Sequence, residues 1–138
     1  MNWIGIINQL ATTRANQLLS DIDLPMPQFA VLNHFSHRPG QGRTVTDVAC
    51  AMQQPQPGMT KPLQKLEARG YLEARRNPAD GRSRLLYLTS EGSQARVDAI
   101  HRLSPVLDQA FSEMSQSEME QLFSRLDYLK CWLDENRA

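Results

Sequence analysis

The sequence predicts a mainly α chain with a small β-wing, in the order α/α/β/α/α/β/β/α/α, and three observations carry that prediction. Apolar residues recur at helical spacing in long segments on both sides of the chain's middle. Between them, two short runs of strand character, Tyr71 to Arg76 and Ser83 to Thr89, flank a tip whose Asn77-Pro78 and Asp80-Gly81 pairs supply turn chemistry. Proline and glycine then cut the rest into helix-sized pieces.

The first segment, about Trp3 to Ile22, carries Trp3, Ile6, Ile7, Leu10, Leu18 and Leu19 at mostly helical spacing, so it is read as one helix. Leu24-Pro25-Met26-Pro27 ends it. Pro27 opens a second helix holding Phe29, Leu32 and Phe35, which stops at Arg38-Pro39-Gly40. After a short loop, Thr44 and Val45 are expected as a brief strand, with Thr46 capping a helix that carries Asp47, Val48, Ala49 and Met52. That helix stops near Gln53 to Pro55.

The fourth helix ends at Gly70, where a left-handed C-terminal cap belongs, and turns Leu63 and Leu66 inward. Its start is set by Pro62, because an interior proline loses a hydrogen bond and clashes with the carbonyl four residues back, at a cost of about 3 kcal/mol. Two starts satisfy this. The helix can begin near Pro55 to Pro57 and bend at Pro62, or begin late from a Thr60 cap with Pro62 in the first turn; the late start is favoured. Beyond the hairpin, Thr89 caps a long helix with Ile100, Leu103, Leu107, Ala110, Phe111 and Met114 in register, bent at Ser104-Pro105. Ser115 to Ser117 punctuates, and a last helix to about Asn136 shows Met119, Leu122, Phe123, Leu126, Leu129 and Leu133 as an apolar stripe.

At 138 residues the chain fits one domain with a real core and needs no covalent staple. Cys50 and Cys131 lie far apart in no metal-like spacing, which excludes a disulfide framework or zinc site and fits a reducing cytoplasm. Met1 to Leu24 lacks a signal-peptide pattern, and no stretch reaches membrane-spanning length. An enzyme would need a phosphate loop, a nucleophile elbow or a metal-ligand array, none of which the sequence shows, and no cofactor is implied. His34 and His37 stand one helical turn apart but without a Cys or carboxylate cluster, so they are read as surface histidines. Cys50 follows Val48-Ala49 in a packed helix and is read as buried and inert.

The formal net charge is zero, yet the charge is sorted along the chain. From Lys61 to Arg84 seven cations face three anions, an excess of four positive charges; from Leu85 onward five cations face nine anions, an excess of four negative. Such sorting suits one face turned to a polyanion. Two short helices followed by a cationic hairpin make a winged helix-turn-helix arrangement. Helical numbering puts Thr60, Lys61, Gln64 and Lys65 on or near the side opposite Leu63 and Leu66, ready for the major groove. Around the hairpin, Arg75, Arg76, Arg82 and Arg84 gather, and a tip guanidinium suits the negative potential of a minor groove.

These residues resemble the MarR family of bacterial transcription regulators over nearly the whole chain. The likeness is carried by Asp80-Gly81-Arg82-Ser83, Leu86-Tyr87-Leu88-Thr89 and Gly92 in the wing, and by Leu66-Glu67-Ala68-Arg69-Gly70-Tyr71-Leu72 at the recognition-helix exit. The resemblance implies a single domain over residues 1–138, with a winged helix-turn-helix lobe at 25–92 and a helical dimerisation lobe from 1–24 plus 93–138. It further implies that Asp80 orients Arg82 toward the minor groove, that Gln56, Thr60, Lys61 and Gln64 meet bases, and that Trp3, Ile7, Leu10, Leu122, Leu126, Leu129 and Leu133 pack a homodimer. The chain departs from the family at Pro55-Gln56-Pro57-Gly58-Met59-Thr60-Lys61-Pro62, where Ser, Thr and Arg are usual. The expected function is a cytoplasmic, ligand-responsive repressor on a pseudo-palindromic operator, its partners double-stranded DNA, a second copy of itself and a small-molecule effector. The alternative is a winged-helix protein-interaction module with weakened DNA binding.

Overall fold

The computed structural model describes Asn2 to Asn136. It contains α1 (Trp3–Leu18), a single 3-10 turn (Ser20–Ile22), α2 (Met26–Ser36), α3 (Val45–Ala51), α4 (Gln56–Ala68), β1 (Leu72–Arg76), β2 (Arg84–Leu88), α5 (Ser90–Ala110) and α6 (Gln116–Glu135). These form two compact units, one up to Leu103 and one from Ser104, the boundary falling inside α5 at Ser104-Pro105.

Local chemistry explains each boundary in the first unit. Asn2 caps α1 by accepting from the Gly5 N–H, and Asp23, at φ 49, breaks the chain after the 3-10 turn, so the expected helix to Ile22 ends early at Leu18. Pro25 leads into α2 with Pro27 in its first turn, as proline's fixed φ favours. The expected strand at Thr44-Val45 and cap at Thr46 are both displaced. Thr44 is the cap: its hydroxyl accepts from the Asp47 N–H while the Asp47 carboxylate accepts from the Thr44 N–H, a reciprocal box that satisfies two orphan donors. The only strand-like pairing there is an antiparallel bridge from Arg43 to Leu86.

Helix α4 takes the early start, from Gln56, with Pro62 inside it, rather than the favoured late start. Prolines explain this as well: Pro55 and Pro57 pre-set the first turn, and the early turn buries Met59 beside Leu63 and Leu66. The helix ends as expected at Gly70, whose φ of 73 a side chain would strain. Strands β1 and β2 pair antiparallel from Leu72 opposite Leu88 to Arg76 opposite Arg84. Thr89 closes the hairpin onto both neighbouring helices: its hydroxyl donates to the Gly70 carbonyl (2.6 Å) and accepts from the Gly92 N–H (3.0 Å). A Cβ on Gly92 would stand 2.1 Å from the Tyr71 carbonyl oxygen, so this close approach admits glycine alone.

The core of this unit gathers Leu19, Leu24, Val31, Leu32, Phe35, Val48, Met59, Leu63, Leu66, Leu72, Leu86 and Ala99, drawn from α2 to α5, both strands and the residues flanking the 3-10 turn. Burying such side chains stabilises by roughly 1.5–3 kcal/mol each before entropy is counted. In the second unit α5 ends at Ala110, so Phe111 and Met114 lie in the following turn instead of continuing its register. Ser115 and Glu118 form a second capping box for α6, whose residues are exposed along its whole length.

Candidate nucleic-acid interface

On α4 the residues divide cleanly between two sides. Met59, Leu63 and Leu66 are buried, while Gln56, Thr60, Lys61, Gln64 and Lys65 are all exposed. This is what 3.6-residue periodicity requires of an amphipathic helix seated on a core. The Thr60 hydroxyl bonds back to the Gln56 carbonyl (3.2 Å), and among the described residues neither lysine ammonium has an ion-pair partner.

The arginines of the wing serve different ends. At its foot, Arg84 reaches Glu67 of α4 through Nη1 (2.9 Å) and Nη2 (3.4 Å), tying the second strand to the recognition helix. Arg75 pairs with Glu73 and lies over the Tyr87 ring, its guanidinium carbon 4.6 Å from the centroid. Both face solvent as well, so each braces the wing while adding to its positive field. Arg76 extends toward the tip, with Nη2 3.4 Å from where a Cβ on Gly81 would stand. Arg82 is exposed, and among the described residues its guanidinium has no hydrogen-bond or ion-pair partner.

Asp80 acts on the tip through its backbone. Its carboxylate accepts from the Arg82 N–H (3.0 Å), while its carbonyl accepts from the Ser83 N–H (3.1 Å). Asn77 completes the turn, accepting from the Ala79 N–H and donating to the Ser83 hydroxyl (2.8 Å). The turn is therefore held by Asp80 and Asn77, leaving the Arg82 side chain unengaged.

Residues absent from the sequence-based list tie the end of the recognition helix and the elements behind it together. Arg69, one residue past α4, donates to the carbonyls of Ile22 and Asp23 and to the Tyr71 hydroxyl, and stacks on the Tyr71 ring at 4.6 Å. Arg102 holds the same turn from α5 through Asp21 (2.6 Å), and Arg96 donates to Asn33 of α2 (2.9 Å). Apart from Tyr71, these partners lie tens of residues away in sequence, so no local signal announces them.

Two readings of isolated residues need correction. Cys50 is exposed rather than buried, because α3 is only seven residues long and turns Val48 and Ala49 inward but Cys50 out. His34 is partly buried instead of lying on the surface, and its Nε2 has no hydrogen-bond partner among the described atoms. Burial, then the nearby Arg43, His37 and Arg38 charges, holds its pKa below the ordinary value. Among the described residues no group of His, Cys, Asp and Glu is arranged to hold a metal, and no helix is long and apolar enough to cross a membrane.

Each unit also presents an unburied apolar face. On α1 it comprises Trp3, Ile4, Ile6, Ile7 and Leu10; in the second unit α6 exposes Leu122, Leu126, Leu129 and Leu133 together with Met119, Phe123 and Trp132. All seven residues expected to pack a dimer are exposed. The sequence reading omitted Ile4 from the α1 face.

A short helix leading into an amphipathic one, followed by a braced hairpin with a free arginine at its tip, defines a winged helix-turn-helix protein. Residues 22–83 match the model of the MarR family. The chain is 30% identical over 104 residues, 75% of each chain, to the transcriptional regulator HosA of Escherichia coli O111:H-. In fold it is similar to the transcriptional regulator BldR from Sulfolobus solfataricus (TM-score 0.82, 23% identity, covering 95% of this chain and 91% of that one). It is likewise similar to a mutant MarR from E. coli complexed with operator DNA (TM-score 0.77, 22% identity, covering 91% and 89%). The chain belongs to the MarR family and is a transcriptional regulator.

Proposed function

We propose that this regulator is a homodimeric, ligand-responsive repressor that binds a pseudo-palindromic operator, one subunit to each half-site. The observation that carries this reading is the division of the cations: Arg69, Arg75 and Arg84 brace the lobe, while Lys61, Lys65 and Arg82 stand exposed without ion-pair partners among the described residues. An unpaired arginine at a fixed tip and a polar helix face have in duplex DNA a partner that supplies both phosphates and base edges. Gln56, Thr60 and Gln64 would meet base edges, with Lys61 and Lys65 on phosphate; Arg82 would enter the minor groove. Arg75, Arg76 and Arg84 would add to the positive field along the backbone, and Asp80 would hold the tip turn.

Exposed apolar faces of the size seen on α1 and α6 are rare on monomers and support association with a second copy. Two-fold symmetry would then place the reading helices about 34 Å apart, one turn of DNA. That a related MarR mutant was crystallised with operator DNA supports the same reading. Selection of bound sequences from random duplex DNA at two salt concentrations tests it. The expected product is an inverted repeat whose recovery drops steeply at higher salt. Absence of any enriched sequence would overturn the operator reading in favour of a wing that docks on protein.

A further inference from the structure

Between Lys61 and Arg84 the chain carries three carboxylates among seven cations. Each carboxylate is engaged: Asp80 accepts from the Arg82 N–H at the tip, Glu73 pairs with Arg75 on the same strand, and Glu67 pairs with Arg84 across the lobe. Of the three, Glu67 is the one that belongs to the recognition helix. It lies three residues beyond Gln64 and seven beyond Thr60, which places it one and two turns further along the side of α4 that carries them. A carboxylate in line with residues that would meet DNA is a repulsive element unless its charge is answered.

Arg84 answers it. The guanidinium reaches both carboxylate oxygens, Nη1 to Oε1 at 2.9 Å and Nη2 to Oε2 at 3.4 Å, in the forked geometry that arginine and carboxylate favour. The arginine side chain is 61% exposed and the glutamate 29%, so the cation is the outer member of the pair. Pairs this exposed add little to folding stability, and a neutral amide at position 67 could accept from the same guanidinium. What a carboxylate alone does is cancel the charge. The two charges lie far closer together than the Debye length of about 8 Å at physiological salt, so a phosphate passing along the lobe meets a nearly neutral group. Arg84 therefore adds to the positive field only what Glu67 leaves it, in contrast to Lys61, Lys65 and Arg82, which have no ion-pair partner among the described residues.

We infer that Glu67 is a specificity-determining residue: by pairing with Arg84 it withholds one cation from DNA of arbitrary sequence and ties the wing to the reading helix. Both effects favour the operator over other duplex. Binding to random sequence is almost wholly electrostatic, so it loses the full contribution of the withheld charge. Binding to an operator also draws on base edges, which Gln56, Thr60 and Gln64 reach together with Arg82 only while α4 and the wing keep their relation to each other. This role of Glu67 rests on the proposed operator reading and assigns, within it, the residue that restrains indiscriminate binding.

Glu67→Gln removes the charge while keeping the side chain's shape, and anisotropy titrations of the full chain on a selected duplex and on a scrambled one, across a salt series, read its effect. On the scrambled duplex the variant is expected to bind several-fold more tightly than wild type. Its slope of log affinity against log salt is expected to steepen by about 0.9 for each subunit engaged, the value for one further phosphate neutralised. On the selected duplex the gain is expected to be smaller or absent, so that the ratio of selected to scrambled affinity falls several-fold. Glu67→Gln/Arg84→Gln, which removes both charges together, is expected to return to the wild-type slope on the scrambled duplex, with the circular dichroism of the wild type retained in both variants. Scrambled duplex bound no more tightly by Glu67→Gln than by wild type would make the pair a brace alone and overturn the inference; so would equal gains on the two duplexes, or a gain that survives in the double variant. Wild type without salt-dependent binding to either duplex would overturn the operator reading and this role of Glu67 with it, whereas wild-type binding with no gain in Glu67→Gln overturns the role of Glu67 alone.

Discussion

The winged lobe and helix α6 are capped by the same device and differ in everything that follows. Both α3 and α6 begin with a hydroxyl-and-carboxylate box, Thr44 with Asp47 and Ser115 with Glu118. In the lobe, helices then bury Val31, Leu32, Val48, Leu63 and Leu66 completely or nearly so. Helix α6 buries none of its twenty residues, yet carries an equally regular apolar stripe. Local signals thus suffice to start a helix in either place, while packing is complete in one region and outstanding in the other. The stripe of α6 and the face of α1 are the parts on which the proposed second copy would pack.

The comparison breaks most sharply under leucine truncation. Leu66→Ala removes a fully buried side chain, so it is expected to lower unfolding stability by about 2–5 kcal/mol. The loss is the same at every protein concentration, as chemical denaturation can show. Leu126→Ala is expected to weaken self-association by on the order of tenfold or more. Its thermal midpoint falls only as the protein is diluted, because stability drawn from a partner follows mass action. Sedimentation equilibrium reads the association directly; a concentration-independent loss for Leu126→Ala would mean that the stripe packs within one chain.

Cap removal gives a smaller effect. Thr44→Ala is expected to cost about 1 kcal/mol of lobe stability, seen as a lower denaturation midpoint. Ser115→Ala is expected to appear instead as fraying of α6 and faster amide exchange in its first turn, with the lobe untouched.

Acid separates the regions most finely. The Asp47 pKa is lowered chiefly by its hydrogen bond from the Thr44 backbone, and that of Glu118 by hydrogen bonds from the Ser115 side chain and backbone. Both contributions are complete above the ordinary carboxylate range of about 4 and are lost as pH falls through the folded values. His34, lowered first by burial and then by Arg43, His37 and Arg38, has the same sign at higher pH. Its neutral form is the one favoured in the fold, so its contribution is complete above about pH 6.5 and declines as pH falls through the folded value. The lobe should therefore weaken in two stages and the α6 cap in one. Thermal unfolding across pH checks this, and His34→Gln should remove the upper stage alone.

How far the residues announce the molecule depends on the range of the forces involved. The wing was plain from its turn pairs and strand runs, and Gly70, Thr89, Leu63 and Leu66 have the roles their positions suggest, because each acts within a few residues of itself. Thr44 was announced too, by Thr-x-x-Asp, but Thr46 beside Asp47 offers a competing signal and only the reciprocal bonds decide between them. Pro62 misleads about the start of α4 because burial of Met59 in the core favours the earlier turn, a tertiary effect. Braces such as Arg84 to Glu67 and Arg69 to the Ile22 and Asp23 carbonyls bridge distant segments, so charge counting could group these arginines with the free ones. Only the geometry separates the bracing cations from those left for a partner.

That separation places the heaviest burden on Arg82. The decisive measurement is an anisotropy titration of a selected duplex across a salt series, with wild type and Arg82→Ala. Wild type should bind two subunits per duplex, with the logarithm of affinity falling linearly against the logarithm of salt. Arg82→Ala should weaken binding on the order of tenfold or more and give a shallower slope, while its sedimentation still reports a dimer. Unchanged affinity and slope in Arg82→Ala, or wild-type binding indifferent to salt, would contradict the wing tip as a DNA probe.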